Sequence, residues 1–172
     1  EEAPEPSVEA RWRVLSGLGD AYRAVGRYQR STEVLEKGLR LVEMGELSSL
    51  DAAGLYRRLG ETGRKQGALG IAEERFQTSL TLLGEPDDEA SQEEAARVWA
   101  GIAWVHFLRG QFQEAREACE TARDHARMTD AVIELAAAEN LLGGISYRQG
   151  EWTSALHHTM RAMTLREQIG YT

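Results

Sequence analysis

Cysteine is almost absent from this chain, since Cys119 is the only one among 172 residues. A disulfide within the chain and a zinc site built from several cysteines are therefore both excluded. Nothing in the cysteine content indicates an oxidising compartment, so the expected location is cytoplasmic. The chain is nevertheless long enough to bury a hydrophobic core without covalent cross-links.

Proline and long apolar runs are also scarce. The three prolines, Pro4, Pro6 and Pro86, leave the stretches 7–85 and 87–172 free to form helices. No sustained alternation of β-branched or aromatic residues with polar ones is present, so the sequence predicts an all-α fold. The longest uncharged apolar stretch, 98–108, is shorter than the ~18 residues that a membrane span needs, and we expect no membrane association.

Positive charge is in deficit, with 20 Lys and Arg against 28 Asp and Glu and a net charge of −8. This balance argues against direct nucleic-acid binding and against an anionic membrane surface. Residues 1–6 form an acidic, proline-containing extension before the domain expected over 7–172. The sequence begins with Glu1 rather than Met and has no basic and apolar leader, so we expect a segment of a longer protein.

Glycine, by contrast, is abundant and regularly spaced. Gly26, Gly67, Gly110 and Gly150 recur at intervals of 41, 43 and 40 residues. Eight residues before each glycine an aliphatic residue is followed by a small one: Leu18-Gly19, Leu59-Gly60, Ile102-Ala103 and Leu142-Gly143. The positions two, five and nine residues after each glycine also match: Tyr28, Leu69, Phe112 and Trp152; Ser31, Ala72, Ala115 and Ala155; Leu35, Phe76, Cys119 and Thr159. Four copies of one unit are present.

Each unit has the pattern of two antiparallel helices. The small residue allows a second helix to approach closely, and the glycine allows the chain to leave the first helix in a left-handed conformation. The large residue two positions later is expected to fill the corner between the helices. Because two helices cannot bury both of their apolar faces alone, the units are expected to stack.

The four units resemble tetratricopeptide (TPR) repeats. The resemblance is carried by "LGDAYRAVGRYQRSTEVLEKGL" (18–39), "LGETGRKQGALGIAEERFQTSL" (59–80), "IAWVHFLRGQFQEAREACETA" (102–122) and "LGGISYRQGEWTSALHHTMRAM" (142–163). The second copy is the loosest, having Gly63 where the family prefers Tyr. The resemblance implies an α-α superhelix, or solenoid, of four stacked helix pairs.

The units are longer than the usual TPR repeat of about 34 residues. Ser48 with Asp51, and Asp88 with Ser91, are typical of helix starts, so the extra residues are expected to lengthen each first helix. This long form resembles the repeats of bacterial signal-transduction ATPases, ATP-dependent transcription regulators and kinesin light chains. The helices are expected at about 8–25, 28–44, 49–66, 69–83, 89–109, 112–128, 131–149 and 152–169, which gives units of about 8–44, 49–83, 89–128 and 131–169.

Catalytic, cofactor and metal motifs are not found. The stretch 60–67, "GETGRKQG", lacks the GK[ST] ending of a phosphate-binding loop and any preceding strand. His157 and His158 are adjacent on one helix and cannot converge on a metal, so we interpret both as surface or edge residues. Cys119 occupies the repeat position of Leu35 and is expected to be a buried small residue. The sequence predicts no enzyme, no cofactor and no metal.

The resemblance implies that a partner binds on the concave face formed by the first helices. The predicted partner-binding residues are Arg23, Arg57, Arg58, Arg64, Lys65, Arg97, Trp104, Phe107, Asn140, Tyr147 and Arg148. Among them Arg57, Arg58, Arg64 and Lys65, here called the basic ridge, are suited to a carboxylate or phosphate of a partner. The alternative is that Glu61 bridges Arg57 and Lys65 on a solvated face.

The helix at 89–109 has two apolar faces. Trp99, Ile102 and His106 lie on the face that packs between helices, whereas Trp104, Phe107 and Leu108 lie on the other side. We expect an apolar pocket at the second face, beside the basic ridge, and burial as ordinary core is the alternative. The last helix also carries apolar residues, and no polar capping helix follows it, which favours either further repeats or contact between two copies: Met160, Met163, Leu165 and Ile169.

The leading hypothesis is a non-catalytic scaffold that binds a protein or peptide with acidic and apolar anchors. It would be the sensor or interaction segment of a larger bacterial regulatory protein. Two alternatives stay open. One is a homo-oligomerisation module that associates through the terminal helix, and the other is a small-ligand sensor domain of a transcription regulator whose pocket uses Trp104, Phe107 and Tyr147.

Overall fold

The computed structural model describes residues 7–170, and all regular structure in this part of the chain is helical. The eight helices are α1 (Val8–Ala24), α2 (Tyr28–Glu43), α3 (Ser49–Lys65), α4 (Leu69–Leu83), α5 (Glu89–Arg109), α6 (Phe112–Met128), α7 (Val132–Arg148) and α8 (Trp152–Gln168). Their bounds agree with the expected ones to within one or two residues. The extension at 1–6 lies outside the described residues.

Local chemistry explains where the helices begin. The Ser48 hydroxyl accepts the backbone N–H of Asp51 at 3.1 Å at the start of α3. Asp88 accepts the N–H of Ser91 at 2.7 Å, and the Ser91 hydroxyl oxygen accepts the N–H of Asp88 at 3.1 Å, which completes a capping box before α5. Both predicted starts are confirmed.

The repeated glycines lie directly after the first helix of each pair. Gly26, Gly67, Gly110 and Gly150 have φ angles of 75°, 81°, 77° and 78°, in the left-handed region where a residue with a β-carbon is strained. The predicted conformation of these turns is confirmed. Because each turn is only two or three residues long, the two helices that it joins run antiparallel.

The described part of the chain divides into two compact units, one with α1–α4 that ends at Gly84 and one with α5–α8 that begins at Glu85. In the first unit α1 packs on α2, α2 on α3 and α3 on α4, and α1 also contacts α3. In the second unit α5, α6, α7 and α8 pack in the same sequence, and α5 contacts α7. Each unit is therefore two stacked helix pairs.

The core of each unit is apolar at the repeated positions. The first unit buries a cluster made of Trp12, Leu35, Leu41, Leu55 and Leu59. The second unit buries Val98, Val105, Leu141, Leu142 and Ile145 almost completely. Among residues 7–170, no helix combines the length and apolarity that crossing a bilayer requires.

Candidate functional site

The first unit contains a network of ion pairs rather than an open basic ridge. Arg57 is buried and donates to Glu61 at 2.6 Å, and Arg23 of α1 also donates to Glu61. Glu61 thus bridges Arg57 and Arg23, a residue of another helix, and not Arg57 and Lys65 as the alternative interpretation expected. Stacking of α1 on α3 brings Arg23 to this carboxylate.

Asp20 of α1 is a second acid in the network. It pairs with Arg23 at 2.9 Å and with Nε of Arg58 at 3.1 Å. The guanidinium of Arg58 also lies over the ring of Trp12, 5.6 Å from its centroid. Two carboxylates therefore lie among three arginines, and these ion pairs orient the guanidinium groups within the fold.

The pKa values in this network show how burial and charge compete. Burial raises the pKa of Glu61, but the guanidinium groups of Arg57 and Arg23 outweigh burial, and the pKa is lowered from its ordinary value. Burial lowers the pKa of Arg64, with Glu61 opposing the change and Arg23 adding to it. Lys65 is exposed at the end of α3. Of the four ridge residues, Arg57 is thus committed to the interior of the fold.

The second unit contains a pocket of about 510 Å³ between α5, α7 and α8. Trp104 and Phe107 of α5, and Asn140 and Tyr147 of α7, all line it. These are four of the predicted partner-binding residues, and the structure brings them together in one place. The rings of Trp104 and Phe107 meet edge to face with centroids 5.5 Å apart, which fixes one wall of the pocket.

The floor and the far wall of the pocket come from residues that the sequence reasoning missed. Gly143 and Gly144 of α7 lie at the floor, and Trp152, Leu156 and Thr159 of α8 form the far wall. The sequence reasoning placed the binding residues on first helices, so α8 was not considered. Gly144, which directly follows the repeated small residue Gly143, is the signal that could have been used, because a β-carbon there would lie 3.9 Å from the ring of Phe107.

The remaining predicted site residues lie elsewhere in the second unit. Arg97 pairs with Glu134 at 2.7 Å and with Glu93 at 2.9 Å. The guanidinium of Arg148 lies 5.6 Å from the centroid of the Phe112 ring. Neither residue lines the pocket, so the second unit offers a neutral, aromatic site rather than a charged one.

One expectation about a single residue is wrong. Trp152 was expected to fill the corner between helices, but 64% of it is exposed and its ring meets Tyr147 edge to face at 5.2 Å. His158 was expected at the surface or an edge; its side chain is 15% exposed, and its Nδ1 lies 2.7 Å from a carboxylate oxygen of the fully buried Glu139. His157 is exposed as expected.

The structure also describes the remaining chemical candidates. Cys119 is fully buried, as predicted, and burial raises the pKa of its thiol to about 12. Within residues 7–170 no group of three or more His, Cys, Asp or Glu side chains is placed to hold a metal ion.

Comparison with solved structures shows the fold. No protein-family model and no curated protein sequence matches this chain. BtubC (BKLC) from P. vanneervenii is similar with a TM-score of 0.76 and 17% identity over 99% of this chain and 69% of that one. MamA has a TM-score of 0.62 and 18% identity over 94% and 81%, respectively. A putative kinesin light chain with nearly identical TPR-like repeats from Podosopora anserina has a TM-score of 0.57 and 20% identity over 95% of this chain and 78% of that one. The chain therefore has the TPR-like fold of α-α solenoids, as the repeat spacing predicts.

Proposed function

We propose that this chain is a non-catalytic, cytoplasmic scaffold that binds a peptide segment of a protein partner. It acts as the interaction or sensor segment of a larger bacterial regulatory protein with repeats of the long-unit form. The observation that carries the proposal is the pocket of the second unit, where aromatic residues of two first helices and a third helix surround one space. The similarity of the fold to TPR-like repeat proteins also supports a role in protein interaction.

The size and lining of the pocket favour one apolar anchor of a peptide. Its volume of about 510 Å³ lies within the range of about 300–1,000 Å³ found for small-ligand sites and exceeds one large side chain. The aromatic walls provide apolar area at little loss of conformational entropy. The Asn140 side chain, exposed at the edge, offers both a carbonyl acceptor and amide donors that match a peptide backbone.

The first unit favours acidic residues in the partner. The side chains of Arg23 and Arg58 are partly exposed, at 21% and 22%, and their guanidinium groups are held in place by Asp20. Exposed Lys65 adds a further positive charge at the end of the same helix. Attraction between such exposed charges weakens as salt concentration rises.

A peptide selection tests the pocket directly. Peptides are selected from a random phage-displayed library on the intact chain, and their affinities are measured by fluorescence anisotropy. The variants Tyr147→Ala and Asn140→Ala change exposed pocket residues, and Ile133→Ala changes an exposed residue of the same helix outside the pocket. We expect the dissociation constant to rise at least about tenfold for Tyr147→Ala and to stay unchanged for Ile133→Ala. Equal affinity for all three proteins would refute the pocket as the peptide site.

The charge proposal has a separate test. The substitution Lys65→Glu in this chain should weaken the binding of a selected acidic peptide at low salt. It should also reduce the salt dependence of that binding. Lys37→Glu, which reverses an exposed lysine on α2, is the matched control. The charge-reversal of all four ridge residues is unsuitable, because Arg57→Glu would place a second buried carboxylate next to Glu61.

A small-ligand sensor is the second candidate, favoured by the same aromatic walls. Trp104 and Trp152 both line the pocket, so a ligand that entered it would change tryptophan fluorescence. If no metabolite of a panel changed the tryptophan fluorescence while selected peptides did change it, the small-ligand function would be refuted and the peptide-binding function supported.

A further inference from the structure

A hollow of about 640 Å³ in the first unit is lined by cationic and neutral residues. It lies where α2 begins and α3 ends, and it is here called the cationic hollow. Its side chains are those of Arg27, Tyr28, Gln29, Arg30, Lys65 and Gln66. No carboxylate among the described residues lines it, although the chain carries a net charge of −8. The hollow is therefore a local reversal of the overall charge.

The three cations of the hollow are available to a ligand. Arg27 and Lys65 are exposed, and within the described part of the chain neither makes an ion pair. Arg30 is 68% exposed and donates one N–H to Glu33 at 2.9 Å, which leaves its other donors accessible. These side chains differ from Arg57, which is buried against Glu61.

The fold holds the backbone around the hollow in place. The N–H of Arg27 donates to the carbonyl of Tyr22 at 2.8 Å, and the N–H of Gln66 donates to the carbonyl of Thr62 at 3.1 Å. Because α3 packs on both α1 and α2, the end of α3 brings Lys65 to the start of α2. The hollow thus lies at the junction of two helix pairs that are both present in the structure.

The same junction in the second unit does not carry this charge. The equivalent positions there hold Gln111, Glu114 and Arg148. The guanidinium of Arg148 lies 5.6 Å from the centroid of the Phe112 ring. Helices α2 and α6 both begin without a side-chain cap, so the start of the helix does not distinguish the two junctions. The difference lies in the side chains, which supply three positive charges at the first junction and a balanced pair at the second.

A phosphate monoester matches the hollow in charge and in hydrogen-bonding groups. It carries a charge of about −1.5 to −2 at pH 7 and three strong acceptor oxygens. A guanidinium group can donate two parallel N–H bonds to it, and the ammonium of Lys65 adds a compact charge. A single carboxylate has less charge and fewer oxygens, so it would leave more of the three cations uncompensated.

We infer that the cationic hollow binds a phosphorylated serine or threonine of a protein partner. Arg27, Arg30 and Lys65 contact the phosphate, and Gln29 and Gln66 offer amide groups to the flanking peptide. A nucleic acid fits less well, because the next hollow along α2 also contains the carboxylates of Glu33 and Glu36. The inference rests on the protein-binding role proposed above and is separate from the pocket of the second unit.

A titration followed by nuclear magnetic resonance tests the site. An end-blocked pentapeptide with phosphoserine between alanines is added to the intact chain labelled with ¹⁵N. The backbone amides of residues 26–30 and 65–66 should shift and saturate, whereas the equivalent amides of 110–114 and 148–149 should not. The same peptide with glutamate should have a dissociation constant at least about tenfold higher, and the peptide with serine should cause no shift.

Substitutions of exposed residues identify the groups that bind. Arg27→Gln with Lys65→Gln should raise the dissociation constant of the phosphopeptide at least about tenfold. Lys37→Gln with Arg40→Gln is the matched control, because it removes the same charge from exposed positions. Lys37 lies about 10 Å beyond Arg30 along α2, which exceeds the Debye length of about 8 Å, so the change should stay below about twofold. The helical circular dichroism signal should be retained in both double variants.

Three results would overturn the inference. One is the absence of saturable shifts at the hollow, and another is an equal effect of the two double variants. The third is tighter binding of the glutamate peptide or of a short RNA than of the phosphopeptide. Phage-displayed peptides carry no phosphate, so their selection tests the pocket of the second unit independently. Success there with failure here would refute the phosphate site alone.

Discussion

The close approach of the two helices in a repeat can be tested by adding one methyl group. Gly60 lies in the middle of α3, and a β-carbon at this position would stand 2.8 Å from the ring of Phe76 in α4. Phe76 is fully buried, so its ring has little room to move. Gly17 lies in the middle of α1, and no atom comes within 4 Å of the β-carbon that a substitution would add.

The two glycine-to-alanine changes should have opposite signs. Alanine favours a helix over glycine by about 1 kcal/mol, so Gly17→Ala should raise the free energy of unfolding by about 0.5–1 kcal/mol. At Gly60 the same gain is opposed by overpacking, which costs about 1–3 kcal/mol. Because a contact at 2.8 Å requires the buried ring to shift, we take the upper part of this range and expect a net loss of about 1–2 kcal/mol.

The assay is urea denaturation followed by far-ultraviolet circular dichroism. Both glycines lie in the first compact unit, so their effects are compared within one part of the fold. The denaturation midpoint should rise for Gly17→Ala and fall for Gly60→Ala at a similar slope. An equal rise for both variants would refute the close packing of α3 on α4 and the role assigned to the repeated small residue.

Three further predictions concern buried polar groups. Because neighbouring arginines lower the pKa of Glu61 despite its burial, its ionised form stabilises the fold above its unfolded pKa and this contribution is lost as pH falls through its folded pKa. Glu61→Gln should therefore reduce the free energy of unfolding by about 3 kcal/mol at pH 7, and by progressively less below a pH of about 4; a pH-independent difference in urea titrations would contradict this. Cys119, buried and with a pKa raised to about 12, should resist iodoacetamide at pH of about 8 until the protein is denatured, and alkylation of the native chain at the denatured rate would contradict its placement. His158→Ala leaves the buried carboxylate of Glu139 with Arg161 at 3.4 Å as its remaining partner, so the free energy of unfolding should fall by about 2–4 kcal/mol. Adding Glu139→Leu to the same chain should partly restore the free energy of unfolding, and thermal unfolding of both variants measures the two changes.

The helices could be predicted because their signals are local. A glycine whose φ angle is positive, or a serine that accepts a backbone N–H three residues ahead, acts within one turn of chain. Repetition at Gly26, Gly67, Gly110 and Gly150 then distinguished these signals from chance. The ion pairs expected within α3 are confirmed only in part. Glu61 pairs with Arg57 four residues earlier, but its second partner is Arg23 of α1 rather than Lys65, because α1 stacks on α3.

Only the walls of the pocket that come from the first helices α5 and α7 could be predicted, because the wall from α8 also depends on how helices pack. Trp104 and Tyr147 were identified because the repeat register places them on the concave side of first helices. The wall from α8 was missed because the repeat pattern alone places Trp152 in a corner, and only the packing of α7 on α8 determines that its ring remains exposed beside Tyr147. The side chain of His158 is only 15% exposed for the same kind of reason, since its Nδ1 lies 2.7 Å from the carboxylate of Glu139 on the neighbouring helix.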